Sequence, residues 1–239
     1  MLSIIIPTLN ESKTGYLSKI FDAYHEVPDI EIICVDGGST DDTVSLIEQS
    51  AAKLIATAAS SRAGRLNAGI KQAKFDMVLL HHPRSIVDIE GITALTNRAT
   101  EIRWGAFTHR FSISHPLLNF TSWYSNYIRG GLRGIYYLDH CLFAQKKMLV
   151  DVGLLPEIDI FEDTEICLRL KNLVKPIRLP FISQTSAVRF QAQGIYQQAL
   201  KNQYLKWLYY FKRSDRHMNK LYEMGLELNT EYEKKKSRK

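Results

Sequence analysis

Met77-Val78-Leu79-Leu80-His81-His82-Pro83-Arg84-Ser85 is the stretch that decides the fold. Four apolar residues, Met77 to Leu80, stop abruptly at polar ones. A strand buried on both faces reads this way where it leaves the carboxyl edge of a parallel sheet. In open α/β sheets the ligand lies outside that edge, at a topological switch point. A site that handles phosphates commonly places carboxylates there to hold a divalent cation. This chain places His82 and Arg84.

Upstream, the same pattern recurs. Leu2 to Pro7 is a β-branched run closed by proline, and Ile30 to Val35 is a second, ending in Asp36-Gly37-Gly38-Ser39-Thr40-Asp41. Between them Leu17, Ile20, Phe21 and Tyr24 recur at helical spacing. The two glycines allow a tight turn, and Ser39, Thr40 or Asp41 can cap the following helix. Leu54 to Ala58 predicts a third strand. Ser61-Arg62-Ala63-Gly64-Arg65-Leu66-Asn67-Ala68-Gly69 opens a further helix before the deciding strand. Strands alternating with helices imply right-handed crossovers and a mostly parallel sheet over roughly the first ~100 residues.

Downstream the pattern changes. Arg103 to Ser112 alternates and predicts an edge or antiparallel strand. Pro116 to Ile128 predicts an aromatic helix, and Gly130-Gly131-Leu132-Arg133-Gly134 predicts a flexible loop. Cys141 to Ala144 predicts a short strand, and Phe161-Glu162-Asp163-Thr164-Glu165 opens a helix.

Composition sets bounds. The 239 residues are 45% hydrophobic, enough for one sizeable α/β core. Residues 201–239 hold 11 Lys/Arg against 5 Asp/Glu, which accounts for the whole formal net charge of +6. The body is therefore neutral, which argues against a nucleic-acid-binding surface and directs attention to the tail. The three cysteines are widely spaced and form no CxxC pattern, as expected in a reducing cytoplasm. No basic leader precedes the first strand, so no signal peptide is expected, and no apolar run approaches the ~20 residues of a membrane span.

Three groups of polar residues are candidates for a site. Asp36 could accept hydrogen bonds from a base or ribose, or could only cap its turn. Arg62 and Arg65 could hold phosphate oxygens at a helix start, or form a solvated basic face. Glu162, Asp163 and Glu165 could include a catalytic carboxylate, or simply complement the helix dipole.

Taken together, Ser3–Glu11, Val35–Asp41 and Arg62–Gly69 resemble the motifs of family 2 glycosyltransferases, which have the GT-A fold. Leu138-Asp139-His140-Cys141-Leu142-Phe143 and Phe161-Glu162-Asp163 look like the family's later signatures. The resemblance covers roughly residues 1–190. It implies a GT-A-like, Rossmann-type, mostly parallel sheet flanked by helices, with a nucleotide-diphosphate sugar as donor. It further implies that Pro7, Thr8, Asn10, Glu11, Asp36 and Gly37 hold the nucleoside. Arg62 would contact the phosphates or position the loop, Arg65, Asn67, His82 and Arg84 are further candidates for binding the nucleotide-sugar, and Asp139 and His140 would shape the acceptor pocket. Asp163, beside Glu162, would be the catalytic base of an inverting hexosyl transfer to a glycan or lipid-linked acceptor.

The sequence departs from the family at the deciding strand. There the family carries an Asp-x-Asp-type motif for Mg²⁺ or Mn²⁺, but the matching positions here read His82-Pro83-Arg84-Ser85. Arginine cannot ligate a cation, so the ligands of any metal stay unassigned. Arg84 could itself neutralise the diphosphate. Alternatively His82 with Asp88 or Asp163 could hold a metal, or the chain could be a non-catalytic homologue that binds a glycan or nucleotide.

Residues 1–193 are expected to form the transferase domain and residues 194–239 a helical, aromatic and basic extension. Tyr196, Tyr204, Trp207, Tyr209, Tyr210 and Phe211 interleave there with Lys201, Lys206, Lys212 and Arg213. That pattern suits either peripheral binding to an anionic inner membrane face or a helix packed on the body with its basic side solvated. The stretch Glu231 to Lys239 is expected to be frayed.

Overall fold

The computed structural model describes residues 1–59 and 61–224. In chain order the first half contains β1 (Leu2–Thr8), α1 (Tyr16–Tyr24), β2 (Ile30–Asp36), α2 (Thr43–Glu48), β3 (Lys53–Ala56), α3 (Arg62–Gln72), β4 (Met77–Leu80), β5 (Ser85–Val87) and α4 (Ile89–Asn97). The second half contains β6 (Trp104–Phe111), α5 (Pro116–Trp123), β7 (Leu142–Gln145), α6 (Lys146–Asp151), α7 (Glu162–Lys171), β8 (Ile177–Thr185), α8 (Val188–Gln193), α9 (Ile195–Tyr210) and α10 (Asp215–Glu223). Residues 225–239, including the predicted frayed end, lie outside the described residues.

The eight strands form one mixed sheet in the order β3-β2-β1-β4-β7-β6-β8-β5. β1 is buried along its whole length and pairs in parallel with β2 and β4. β4 pairs in parallel with β1 and antiparallel with β7, so the sheet changes direction there. The deciding stretch is thus the switch point that its apolar-to-polar step predicts.

Helices cover both faces because the strands carry apolar side chains on both. Leu17 and Ile20 of α1, Ile47 of α2 and Ile92 and Leu95 of α4 pack on one face. Leu66 and Ile70 of α3, Leu149 of α6 and Ile166 and Leu170 of α7 pack on the other. All three cysteines are buried and unpaired.

Two expectations need correction. Of the edge or antiparallel strand expected there, the antiparallel alternative holds toward β7, but β6 is not an edge strand: it lies between β7 and β8 and is parallel to the second. The glycine-rich stretch after α5 is not a flexible loop. The helix widens into a π-helix, Tyr124–Leu132, and Arg133 N–H donates to the Ile128 carbonyl five residues back, at 3.3 Å. Gly130 is buried in it, and a Cβ there would stand 2.1 Å from Cε1 of Tyr136. The absent side chain allows close packing rather than mobility.

From residue 194 to residue 224 the chain packs on the body. Leu205 of α9 and Met218 of α10 are buried against Ile160 and Phe161, with Tyr137 beside them. Among the described residues no helix is long and apolar enough to cross a membrane.

Candidate functional site

The ends of β1 and β2 are tied into one loop cluster. Asn10 takes a left-handed backbone, φ +52°, and its side-chain oxygen accepts from Thr40 N–H at 2.8 Å. Asn10 N–H in turn donates to Ser39 Oγ at 2.9 Å. Asp36 is buried and both of its oxygens are engaged. Oδ2 accepts from the Gly38 and Ser39 N–H groups, and Oδ1 from Thr8 Oγ1 and Ser39 Oγ. Its carboxylate therefore builds the turn. Gly37 lies under the Arg65 side chain, since a Cβ there would come within 2.7 Å of Arg65 Nη1.

α3 starts at Ser61, whose hydroxyl accepts from Gly64 N–H at 3.0 Å, a normal cap. This aims Arg62 at α7, a hundred residues downstream. Arg62 Nε donates to Glu162 Oε1 at 2.5 Å, and Nη2 stands 3.8 Å from Asp163 Oδ2. The two carboxylates outweigh burial and hold the guanidinium above its ordinary pKa. Asn67 does a different job: its side-chain amide donates to the Leu155 carbonyl and accepts from Leu155 N–H, at 2.8 and 3.0 Å. Both ends bind the backbone, so the side chain latches that loop onto α3.

α7 begins where Phe161 turns left-handed, φ +66°. Asp163 then sits in the first helical turn, accepting from Leu138 N–H at 2.9 Å and Thr164 N–H at 2.7 Å. Burial pushes its pKa up to about 6, with a contribution from Glu162 and opposition from Arg62. A carboxyl poised near neutral pH is suited to proton transfer.

At the end of β4, His81 is fully buried. It faces the Tyr24 hydroxyl at 3.1 Å and is pushed down to about 4 by burial, so it is a neutral strand-end residue. Burial, with Arg84 next, likewise lowers the pKa of His82. Arg84 is buried, and its Nη1 donates to Glu11 Oε1 at 2.8 Å. The family's metal position is thus filled by a buried ion pair joining the ends of β1 and β4. Among the described residues no group of three or more His, Cys, Asp or Glu side chains is placed to hold an ion. Asp88, offered by the sequence as a ligand with His82, accepts instead from Ile182 N–H at 2.8 Å. The residues present do not fit the family's metal.

Arg62, His82, Arg84, Asp139 and Asp163 line one cavity of about 190 Å³. His140 lies beneath it. Burial pushes His140 down to about 3 and keeps it neutral. Its Nδ1 faces the Phe107 carbonyl at 3.0 Å and must donate, so Nε2 accepts from the Ser125 hydroxyl at 2.7 Å. His140 supports the site, while His109, unforeseen from sequence, lines the cavity 3.6 Å from Asp139. The roof was also missed. It comprises Arg189, paired with Glu223 at 2.7 Å, Lys206 and Tyr222, and Arg129 adjoins it, stacked 3.3 Å from the Tyr137 ring centre. These cations sit within acid-free aromatic sequence, the one signal that could have marked them.

A mixed sheet with this switch point, its polar residues gathered at the carboxyl ends of β1, β2 and β4, is the GT-A fold. Residues 3–111 match the profile of glycosyl transferase family 2. Among similar solved structures, S. aureus TarS 1–349 in complex with UDP-GlcNAc is 18% identical, with a TM-score of 0.60; the match covers 77% of this chain and 58% of that one. A mannosyltransferase from Pyrobaculum calidifontis with GDP-Man and Mn²⁺ is 18% identical over 84% of this chain and 63% of its own, TM-score 0.62. Glucosyl-3-phosphoglycerate synthase from Mycobacterium tuberculosis, with Mn²⁺, UDP and glucosyl-3-phosphoglycerate, is 14% identical over 78% and 70%, TM-score 0.58. The chain spans 35% of a longer TarS structure and about three fifths of the shorter ones. No curated protein sequence matches it.

Proposed function

We propose that this chain transfers a hexose from a nucleotide-diphosphate sugar to a hydroxyl of a glycan or lipid-linked acceptor, with inversion. The observation that carries the reading is Asp163, pushed up to about 6 and lining a cavity that Arg62 and Arg84 also line. The nucleotides named with the similar structures support a nucleotide donor.

In this reading the Pro7–Glu11 loop and the Asp36–Gly37 turn receive the nucleoside. Asp36 acts by shaping the turn rather than by direct contact. Asp163 takes the acceptor proton as the oxygen attacks the anomeric carbon from the face opposite the diphosphate. Glu162 holds Arg62, which in turn faces Asp163. The leaving diphosphate needs positive charge rather than a proton, and the protein groups nearest that task are Arg84 and Arg62. Asp139, with His109 and His140 behind it, orients the acceptor.

A second reading is favoured by the Arg84–Glu11 pair: with the metal position closed, the chain would bind nucleotide without transferring sugar. Calorimetric titration with UDP and GDP, with Mn²⁺ and again in EDTA, followed by a turnover assay, tests both. Binding that survives EDTA, with turnover lost in Asp163→Asn, supports the transferase. Binding with no turnover for any donor supports the second reading, and absence of nucleotide binding defeats both.

A further inference from the structure

α9 carries apolar residues on the side that meets water as well as on the side that packs. Gln198 and Leu205 are buried, whereas Tyr196, Leu200, Tyr204, Trp207 and Phe211 are exposed. Their spacings of four, four, three and four residues place them on one side of the helix. A second exposed stripe, Phe120, Trp123 and Tyr127, runs along α5 and the π-helix. Its rings follow one another at 5.8 and 6.3 Å. The two helices adjoin. The His115 and Tyr196 rings are 5.8 Å apart, and Leu118 packs with Ile195 and Ala199. Phe120 and Tyr124 line one opening together with Gln203 and Lys206.

The chain segments that build this face are predominantly basic. Residues 102–138 and 166–214 contain no Asp or Glu and thirteen Lys or Arg. Arg133, Lys212 and Arg213 are exposed beside the aromatic stripes. Exposed aromatics rimmed by cations are disfavoured in water and complementary to the interface of an anionic leaflet, and the acid that reaches this face, Glu165, is engaged by the Tyr209 hydroxyl.

We propose that the α5, π-helix and α9 face docks on an anionic lipid bilayer. The opening between α5 and α9 then meets the headgroups. Its inner end shares Arg129, Tyr137, Phe161 and Lys206 with the cavity that contains Asp163. A headgroup-borne acceptor would pass those two cations on its way to the base. The docking itself does not depend on the transferase reading, so either can fail alone.

The test is co-sedimentation of the full chain with vesicles of equal parts phosphatidylglycerol and phosphatidylcholine, against pure phosphatidylcholine, at low salt. Tryptophan fluorescence is read in parallel. Trp104 is buried, so any shift comes from Trp123 and Trp207. Anionic vesicles should bind and shift the emission to the blue, with brominated lipid quenching it. Trp123→Ser with Trp207→Ser should weaken partition about tenfold or more. Each cation removed in Lys212→Gln and Arg213→Gln should weaken it about fivefold. These exposed positions leave the fold intact, which circular dichroism checks; truncation before Gly194 would instead strip the cavity roof. No binding, equal binding to neutral vesicles, or binding unchanged in the variants overturns the proposal. So does a lipid-free dimer that the same substitutions abolish.

Discussion

Asp163→Asn gives the sharpest test of the site's electrostatics, because it can be read without knowing the acceptor. The Asp163 carboxyl moves from an ordinary 3.8 to about 6, chiefly through burial and then through Glu162, with Arg62 opposing. A folded-state pKa above the unfolded value means that the native state binds the proton more tightly. The group's contribution to stability is then fully present below about pH 4, is lost as pH rises to about 6, and is flat above. Two units correspond to about 3 kcal/mol. Asparagine carries no such dependence, although it leaves one of two backbone donors, Leu138 or Thr164 N–H, without its acceptor, a fixed cost of about 1–3 kcal/mol. The stability difference between the two proteins, taken from urea unfolding at each pH, should therefore move by about 3 kcal/mol in favour of the variant between pH 4 and 6. Using the difference cancels His81 and His140, whose lowered pKa values act with the opposite sign over part of that range. Glu162→Gln removes the like charge and should narrow the window and move the acid limb of any transfer activity below pH 6. A difference that does not vary with pH would refute the assignment.

Asn67→Ala should lower stability by about 1–3 kcal/mol in urea, by freeing the Leu155 backbone, and leave nucleotide affinity unchanged in calorimetry. Gly130→Ala should cost about 1–3 kcal/mol by overpacking against Tyr136, seen as a lower melting temperature. In EDTA, Arg84→Ala should weaken UDP or GDP binding about tenfold or more, while Glu11→Gln should strengthen it, since the first removes the cation and the second its counter-charge. Equal effects of the two in the same direction would indicate loss of structure instead.

The strands were legible because burial leaves a local trace. β1, β2 and β4 are apolar runs ending in polar residues, and each forms where that step predicts it. Glu162 and Asp163 were legible through the order of motifs, and the structure brings them to Arg62. What the sequence hid depends on partners far along the chain. Arg62 meets Glu162 across a hundred residues, and Arg84 meets Glu11 across 73. No spacing rule announces either pair. Asn67 and His140 look like site residues in one dimension. Only the Leu155 backbone and the Phe107 carbonyl reveal them as supports. The roof was hard to place for a related reason: α9 carries apolar residues on both sides, so its pattern does not say which side packs.

The exchange of a carboxylate for Arg84 is more than a change of sign at one position. In the family, an aspartate and a divalent cation together bring a net positive charge to the donor diphosphate. Here Arg84 and Glu11 together bring none while Glu11 is ionised. Burial raises the Glu11 carboxyl, with Arg84 and then Arg65 pulling it back down. A diphosphate that draws Arg84 toward itself takes away the largest of those opposing influences. Glu11 is only 1% exposed, so an unpaired carboxylate there would be costly and protonation relieves it. A proton taken up as the diphosphate binds would leave Arg84 with its full charge. The site can then reach the net charge that a metal would supply, with affinity rising as pH falls.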